Sequence, residues 1–172
     1  MKKLILAILI FGGLLALRAQ TVQPKPNQPI DIKTYFPGNW KGEGKFVNGK
    51  KIAANVSFKI ALDSCWLVYT HEDILPNRYK ATSMWSIDKT KPDFAADIFD
   101  NYHGHRAFTG TQKKPGEVII VNKGITATKA VTYQRFVYTR ITENHFKMAY
   151  ETSKDSVNWA LGDSLNFVRV IN

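Results

Sequence analysis

One cysteine, Cys65, stands among 172 residues, which excludes an intrachain disulfide framework and any cysteine-based zinc cluster. Beside Trp66, Cys65 is expected to be a small buried apolar side chain. Acidic residues are scarce: 14 Asp and Glu stand against 24 Lys and Arg, a formal net charge of +10. The bases are dispersed, as in Lys50-Lys51 and Lys113-Lys114, so nucleic acid is not an expected partner. There is no Gly-x-Ser-x-Gly, no His-Glu-x-x-His, no phosphate loop and no dinucleotide fingerprint, and no catalytic residue is assigned. Only one long apolar run exists. It extends from Leu4 to Leu17, follows Lys2-Lys3 and is broken by Gly12-Gly13.

That run has the charged and apolar regions of a secretory signal and is short for a membrane span. Residues 1–19 are therefore expected to be a signal peptide cleaved after Ala19, although Leu17 departs from the usual small residue; the alternative is an uncleaved anchor. The expected mature chain starts at Gln20, is periplasmic or extracellular, has no integral span, and is not lipid-anchored because no cysteine adjoins the cut. Only Lys2, Lys3 and Arg18 leave with the signal, so the mature chain stays basic. With 44% hydrophobic and 22% charged residues it has the balance of a globular domain.

Residues 20–29 hold Pro24, Pro26 and Pro29 and read as an extended linker. A short helical turn is expected between Ile30 and Phe36, stopped by Pro37-Gly38. Helical periodicity is then almost absent. Ile52, Ala54, Val56, Phe58 and Ile60 alternate with polar or small residues, the period of a half-buried strand, and Phe146, Met148 and Tyr150 repeat it. Val118 to Val121 and Val131 to Thr139 are rich in strand formers. Turn signals fall at Asn48-Gly49, Leu62 to Ser64, Pro76-Asn77, Asp88 to Pro92, Asn101 to Gly104, Lys113 to Gly116, Gly124, Thr142 to Asn144 and Lys154 to Ser156. They divide residues 30–172 into about ten strands. Without crossover helices, sequential strands pair antiparallel, and such a meander removes its edges by closing. The expected fold is an all-β, single up-and-down antiparallel barrel.

Gly38-Asn39-Trp40, opening the first strand, resembles the Gly-x-Trp signature of the calycin or lipocalin-like barrels. That resemblance implies a structural pair at one barrel end: Trp40 as plug and Arg169, from the last strand, packed over its ring. Gly42 and Gly44 would permit a sharp bend. Asp97 to Gly110 and Tyr138 to Arg169, with Thr139-Arg140-Ile141, Phe146 and Asp155-Ser156-Val157-Asn158-Trp159, resemble a group of secreted bacterial calycin-like proteins. No activity comes with that resemblance. Some calycin-like barrels bind haem through an inward histidine, which requires a free axial ligand and a wide apolar pocket.

Aromatic residues make up 12% of the chain, and an inward row of them with a few polar tips would form a small-molecule pocket. Tyr79, Ala81, Ser83 and Trp85 share one strand face, and Val131, Tyr133, Arg135 and Val137 share another. Ligand-binding candidates are thus Arg135, Tyr133, Tyr79, Trp85 and Ser83. An inward Arg135 would suit a carboxylate or phosphate, whereas an outward one is a solvated base. His103 and His105 with Asp97 and Asp100 lack the spacing of an established metal motif. His71 with Glu72 and Asp73 is a weak acid–base candidate. The resulting expectation is a secreted, non-catalytic barrel that binds a small hydrophobic or anionic molecule and needs no cofactor or metal. The first alternative is a filled barrel serving as a structural or protein-interaction module at the cell envelope, and the second is a metal- or haem-binding or enzymatic barrel built around His71 or His103 and His105.

Overall fold

The computed structural model describes residues 28–171 apart from 89, 92 and 127, so the expected signal peptide and positions 20–27 of the linker lie outside the described residues. One helical turn, α1 (Ile32–Tyr35), precedes ten strands. These are β1 (Gly38–Phe46), β2 (Lys51–Ala61), β3 (Trp66–Asp73), β4 (Lys80–Ser86) and β5 (Phe94–Asp100). They continue as β6 (His105–Thr111), β7 (Glu117–Ile125), β8 (Val131–Thr142), β9 (His145–Ser153) and β10 (Ala160–Arg169). Each strand pairs antiparallel with the next, and β1 pairs with β10 from Trp40↔Arg169 to Phe46↔Asp163, so the sheet closes without an edge. This is the all-β, single up-and-down antiparallel barrel expected from turn spacing and strand period.

Alternation divides the strands into two faces. Ile52, Ala54, Val56 and Phe58 of β2 point into the barrel, as do Leu67, Tyr69, His71 and Asp73 of β3. Ile60 leaves the buried row at the end of β2. Closure requires close approach of β1 to β10. A Cβ on Gly44 would stand 1.8 Å from the Ser164 carbonyl oxygen, and one on Gly42 would stand 2.3 Å from the Phe167 ring.

Asp31 caps α1 by accepting from the Lys33 amide, and the turn delivers Phe36 into the barrel mouth. The chain is held before the expected end of the linker. The Gln28 carbonyl accepts from the Gly116 amide and from Arg140, and the Gln112 side chain bonds both backbone groups of Ile30.

Two local expectations change. Cys65 is exposed, because Leu62, Asp63 and Ser64 all adopt positive φ and swing the β2–β3 turn into solvent. Gly124 lies within β7, and the reversal follows at Thr126, whose amide bonds the Ala130 carbonyl while Lys129 takes φ 62°.

Candidate functional site

The barrel interior has two unlike halves. At the α1 end it is filled. Phe36 contacts the rings of Phe58, Trp85, Tyr138 and Phe146 at centroid separations of 4.9 to 5.9 Å, mostly edge-to-face. Trp40 closes this end: its Nε1–H donates to the Phe36 carbonyl at 2.9 Å, and the Arg169 guanidinium lies 4.0 Å from its ring centroid. Arg169 also donates to the carbonyls of Tyr35 and Pro37 and to the Asn144 side chain, which ties the α1 exit to the final strand. Burial lowers the Arg169 pKa from its ordinary value, but an arginine retains its charge.

At the other end the side chains thin out and leave a cavity of about 300 Å³. Its apolar wall includes Phe46, Ile52, Ala81, Ile98, Phe136, Met148 and Leu165; Tyr69, Tyr79, Tyr138, Tyr150, His71, Asp73, Arg106 and Asp163 add polar atoms. Three of these polar groups sit two residues apart on β3, so they share its inner face. Tyr69 Oη lies 2.7 Å from His71 Nδ1, and His71 Nε2 lies 2.8 Å from Asp73 Oδ1. Tyr69 has no other acceptor for its hydroxyl proton among the described residues. It therefore donates to Nδ1, leaving Nε2–H to donate to Asp73. Burial pushes the Tyr69 hydroxyl pKa well above its ordinary value, with the neighbouring phenols and carboxyls adding to the effect.

Arg106 is the cavity's permanent cation. It donates to Asp100 Oδ2 at 3.2 Å, Tyr79 Oη at 3.0 Å and Gln134 Oε1 at 3.1 Å. Asp163 enters from β10 beside a register shift between Leu161 and Asp163 that ends the inward row, leaving Leu161 exposed. Its carboxyl has no hydrogen-bond or ion-pair partner among the described residues. Desolvation raises its pKa to about 6; Asp73 pushes in the same direction, and His71 opposes it.

Of the sequence candidates, Tyr79 lines the cavity. Ser83 and Trp85 face inward but lie in the filled half, fully buried, with Trp85 Nε1–H donating to Ser83 Oγ at 2.9 Å. Tyr133 and Arg135 belong to the outer face of β8, because the alternate row containing Phe136 and Tyr138 faces the cavity. Of the two directions considered for Arg135, the structure has the outward one, so neither it nor Tyr133 lines the cavity as the ligand-binding candidates were expected to. Arg135 pairs with Glu151, its cross-strand neighbour, and stacks 4.0 Å from the Trp159 ring centroid. The Asp155 to Trp159 turn presents that ring: Asp155 Oδ2 accepts from the Asn158 side chain and Oδ1 from the amides of Asn158 and Val157, and these bonds hold its carboxyl well below the usual range. The inward cation is Arg106 instead. Its place in a row with Phe108 and Gly110 was a sequence signal for that orientation.

His105 pairs with Asp97 at 3.0 Å and stacks on Phe99 outside the cavity, while His103 occupies a turn with φ 62°. Among the described residues no group of three or more His, Cys, Asp or Glu side chains could hold a metal ion. Nor do the donors fit haem: both ring nitrogens of His71, the histidine lining the cavity, are engaged. On the outer surface, a depression of about 650 Å³ crosses β2 to β4 and is lined by Ser57, Thr70 and Thr82, with the Lys80–Glu72 pair beside them.

The chain matches no protein-family model, and no curated protein matches it in sequence. It is similar in structure to Rv2717c from M. tuberculosis, at 11% identity and a TM-score of 0.55, over 80% of this chain and 94% of that one. The S-type phycobiliprotein lyase CPES from Guillardia theta aligns at 9% identity and a TM-score of 0.49, over 81% of this chain and 91% of that one. The likeness to Rv2717c concerns the fold alone.

Proposed function

We propose that the protein binds a small, partly hydrophobic molecule in the cavity at the open end of the barrel and performs no chemistry on it. The carrying observation is the division of the interior: one half is packed around Phe36, and the other retains a volume of about 300 Å³ with an aromatic wall and a few polar atoms. That volume is at the small end of ligand pockets, and its mixed lining supports a ligand with an apolar body and a polar group.

The neutral fluorophore N-phenyl-1-naphthylamine tests this reading. Its fluorescence is expected to rise on one-to-one binding, with affinity falling at least about tenfold in Ala81→Phe, which projects a ring into the cavity. Ala95→Phe, on the exposed face of β5, should retain binding. No enhancement, or equal binding by Ala81→Phe, would refute the cavity as the site.

We also propose export, on the strength of the charged and apolar segment from Lys2 to Leu17. The intact mass of protein recovered from an expressing cell's envelope fraction should correspond to a chain beginning at Gln20. A mass that includes residues 1–19 would contradict cleavage.

A further inference from the structure

We infer that the cavity ligand is an organic cation, a protonated amine or amidine on an apolar body, with its charge placed between Asp73 and Asp163. This rests on the binding function proposed above and adds the sign of the ligand's charge. Two carboxyls, Asp73 and Asp163, line the same cavity as one permanent cation, Arg106. Arg106 is already engaged by Asp100, Tyr79 and Gln134, so it serves the wall rather than an incoming anion. Asp73 has a side chain only 4% exposed and gives Oδ1 to His71, while Oδ2 has no partner among the described residues. Asp163 makes no hydrogen bond or ion pair among the described residues.

A carboxylate in a partly apolar enclosure is unfavourable unless a counter-charge or donor reaches it. The upward displacement of the Asp163 pKa expresses that cost in the unliganded protein. A protonated amine supplies both the charge and N–H donors in charge-assisted geometry. The aromatic rings of the wall attract the same ligand through cation–π contact. An anionic ligand would face two carboxyls, and a neutral one would leave Asp163 without a donor or paired charge, since His71 bonds Asp73 alone of the two. The net charge of +10 for the whole chain points the other way, but it is spread over the surface, whereas a bound molecule meets the local field of the enclosure.

Three probes of matched shape separate these cases: 2-phenylethylamine, 2-phenylethanol and 3-phenylpropionate, titrated calorimetrically into the protein at pH 7.5. The amine is expected to bind at least about tenfold tighter than either of the others, and Asp163→Asn should bring it within about threefold of the alcohol. Near-ultraviolet circular dichroism checks that the variant is folded. If the alcohol or the propionate binds as tightly as the amine, the cation inference is overturned while the binding function stands. If none of the three binds but N-phenyl-1-naphthylamine does, the inference again falls alone. If that fluorophore also fails, both fall. Retention of the full amine preference by Asp163→Asn would overturn the assignment of the charge site.

Discussion

Trp40→Ala is expected to lower the free energy of unfolding by about 3–5 kcal/mol, the range for deleting a large buried aromatic side chain. Trp40 is 1% exposed and does three jobs at the closed end. Its ring fills the space beside Phe146 at a centroid separation of 4.8 Å, its Nε1–H satisfies the Phe36 carbonyl, and its face receives Arg169. Truncation leaves a cavity, a carbonyl without its donor, and a guanidinium without its aromatic platform. The hydrogen bonds from Arg169 to the carbonyls of Tyr35 and Pro37 remain, which limits collapse of α1 into the void and keeps the cost near the upper part of the range. Urea unfolding of the two proteins measures the difference. A change under about 1 kcal/mol would mean that Trp40 does not plug the barrel.

Asp163→Asn is expected to act in the opposite direction, stabilising the unliganded protein by about 2 kcal/mol at pH 7.5. The folded protein holds the Asp163 proton up to about pH 6, whereas the unfolded chain releases it near the ordinary carboxyl value. The folded-state pKa is thus raised, so this group's contribution to stability is fully present below about pH 4 and is lost as pH rises through about 6. That difference corresponds to at most about 3 kcal/mol, and water at the cavity mouth reduces it to about 2. An amide cannot ionise, so the variant escapes the loss. Its stability should match that of the parent near pH 4 and exceed it progressively up to pH 7. Parallel unfolding curves across this range test the sign directly. Equal stabilities at pH 7.5, or a less stable variant, would show that the Asp163 carboxylate is not desolvated.

Both effects turn on side chains whose directions the sequence disclosed unequally. The buried row Ile52, Ala54, Val56 and Phe58 and the pairing of Trp40 with Arg169 were legible, because each depends on strand period or a short motif. The inward direction of Asp163 was legible in principle, since it continues the row of Phe167 and Leu165. Strand β8 was not. Its two faces both mix aromatic, aliphatic and polar residues, so alternation says which residues travel together without saying which set faces in. Barrel closure decides this by bringing Gln134 to Arg106, 28 residues earlier in the chain, and leaving Arg135 to pair with Glu151 outside. Cavity size was beyond the sequence for a similar reason. It is the small difference between the volume enclosed by ten strands and the volume of the side chains that enter it. The Cys65 position was misread because a cysteine beside a tryptophan suggests burial, whereas three successive left-handed residues made the turn protrude.

The most direct measurement is methyl chemical-shift mapping during saturation with 2-phenylethylamine and, separately, with 2-phenylethanol. Binding in the open end should move the methyl resonances of Ile52, Ile98, Met148 and Leu165, which line the cavity, while those of Leu67, Val118 and Ile120, buried outside its lining, stay in place. Shifts confined to outer-face methyls such as Val168 and Leu161 would contradict the cavity as the binding site, and no shifts with the amine would contradict it as the site of an organic cation.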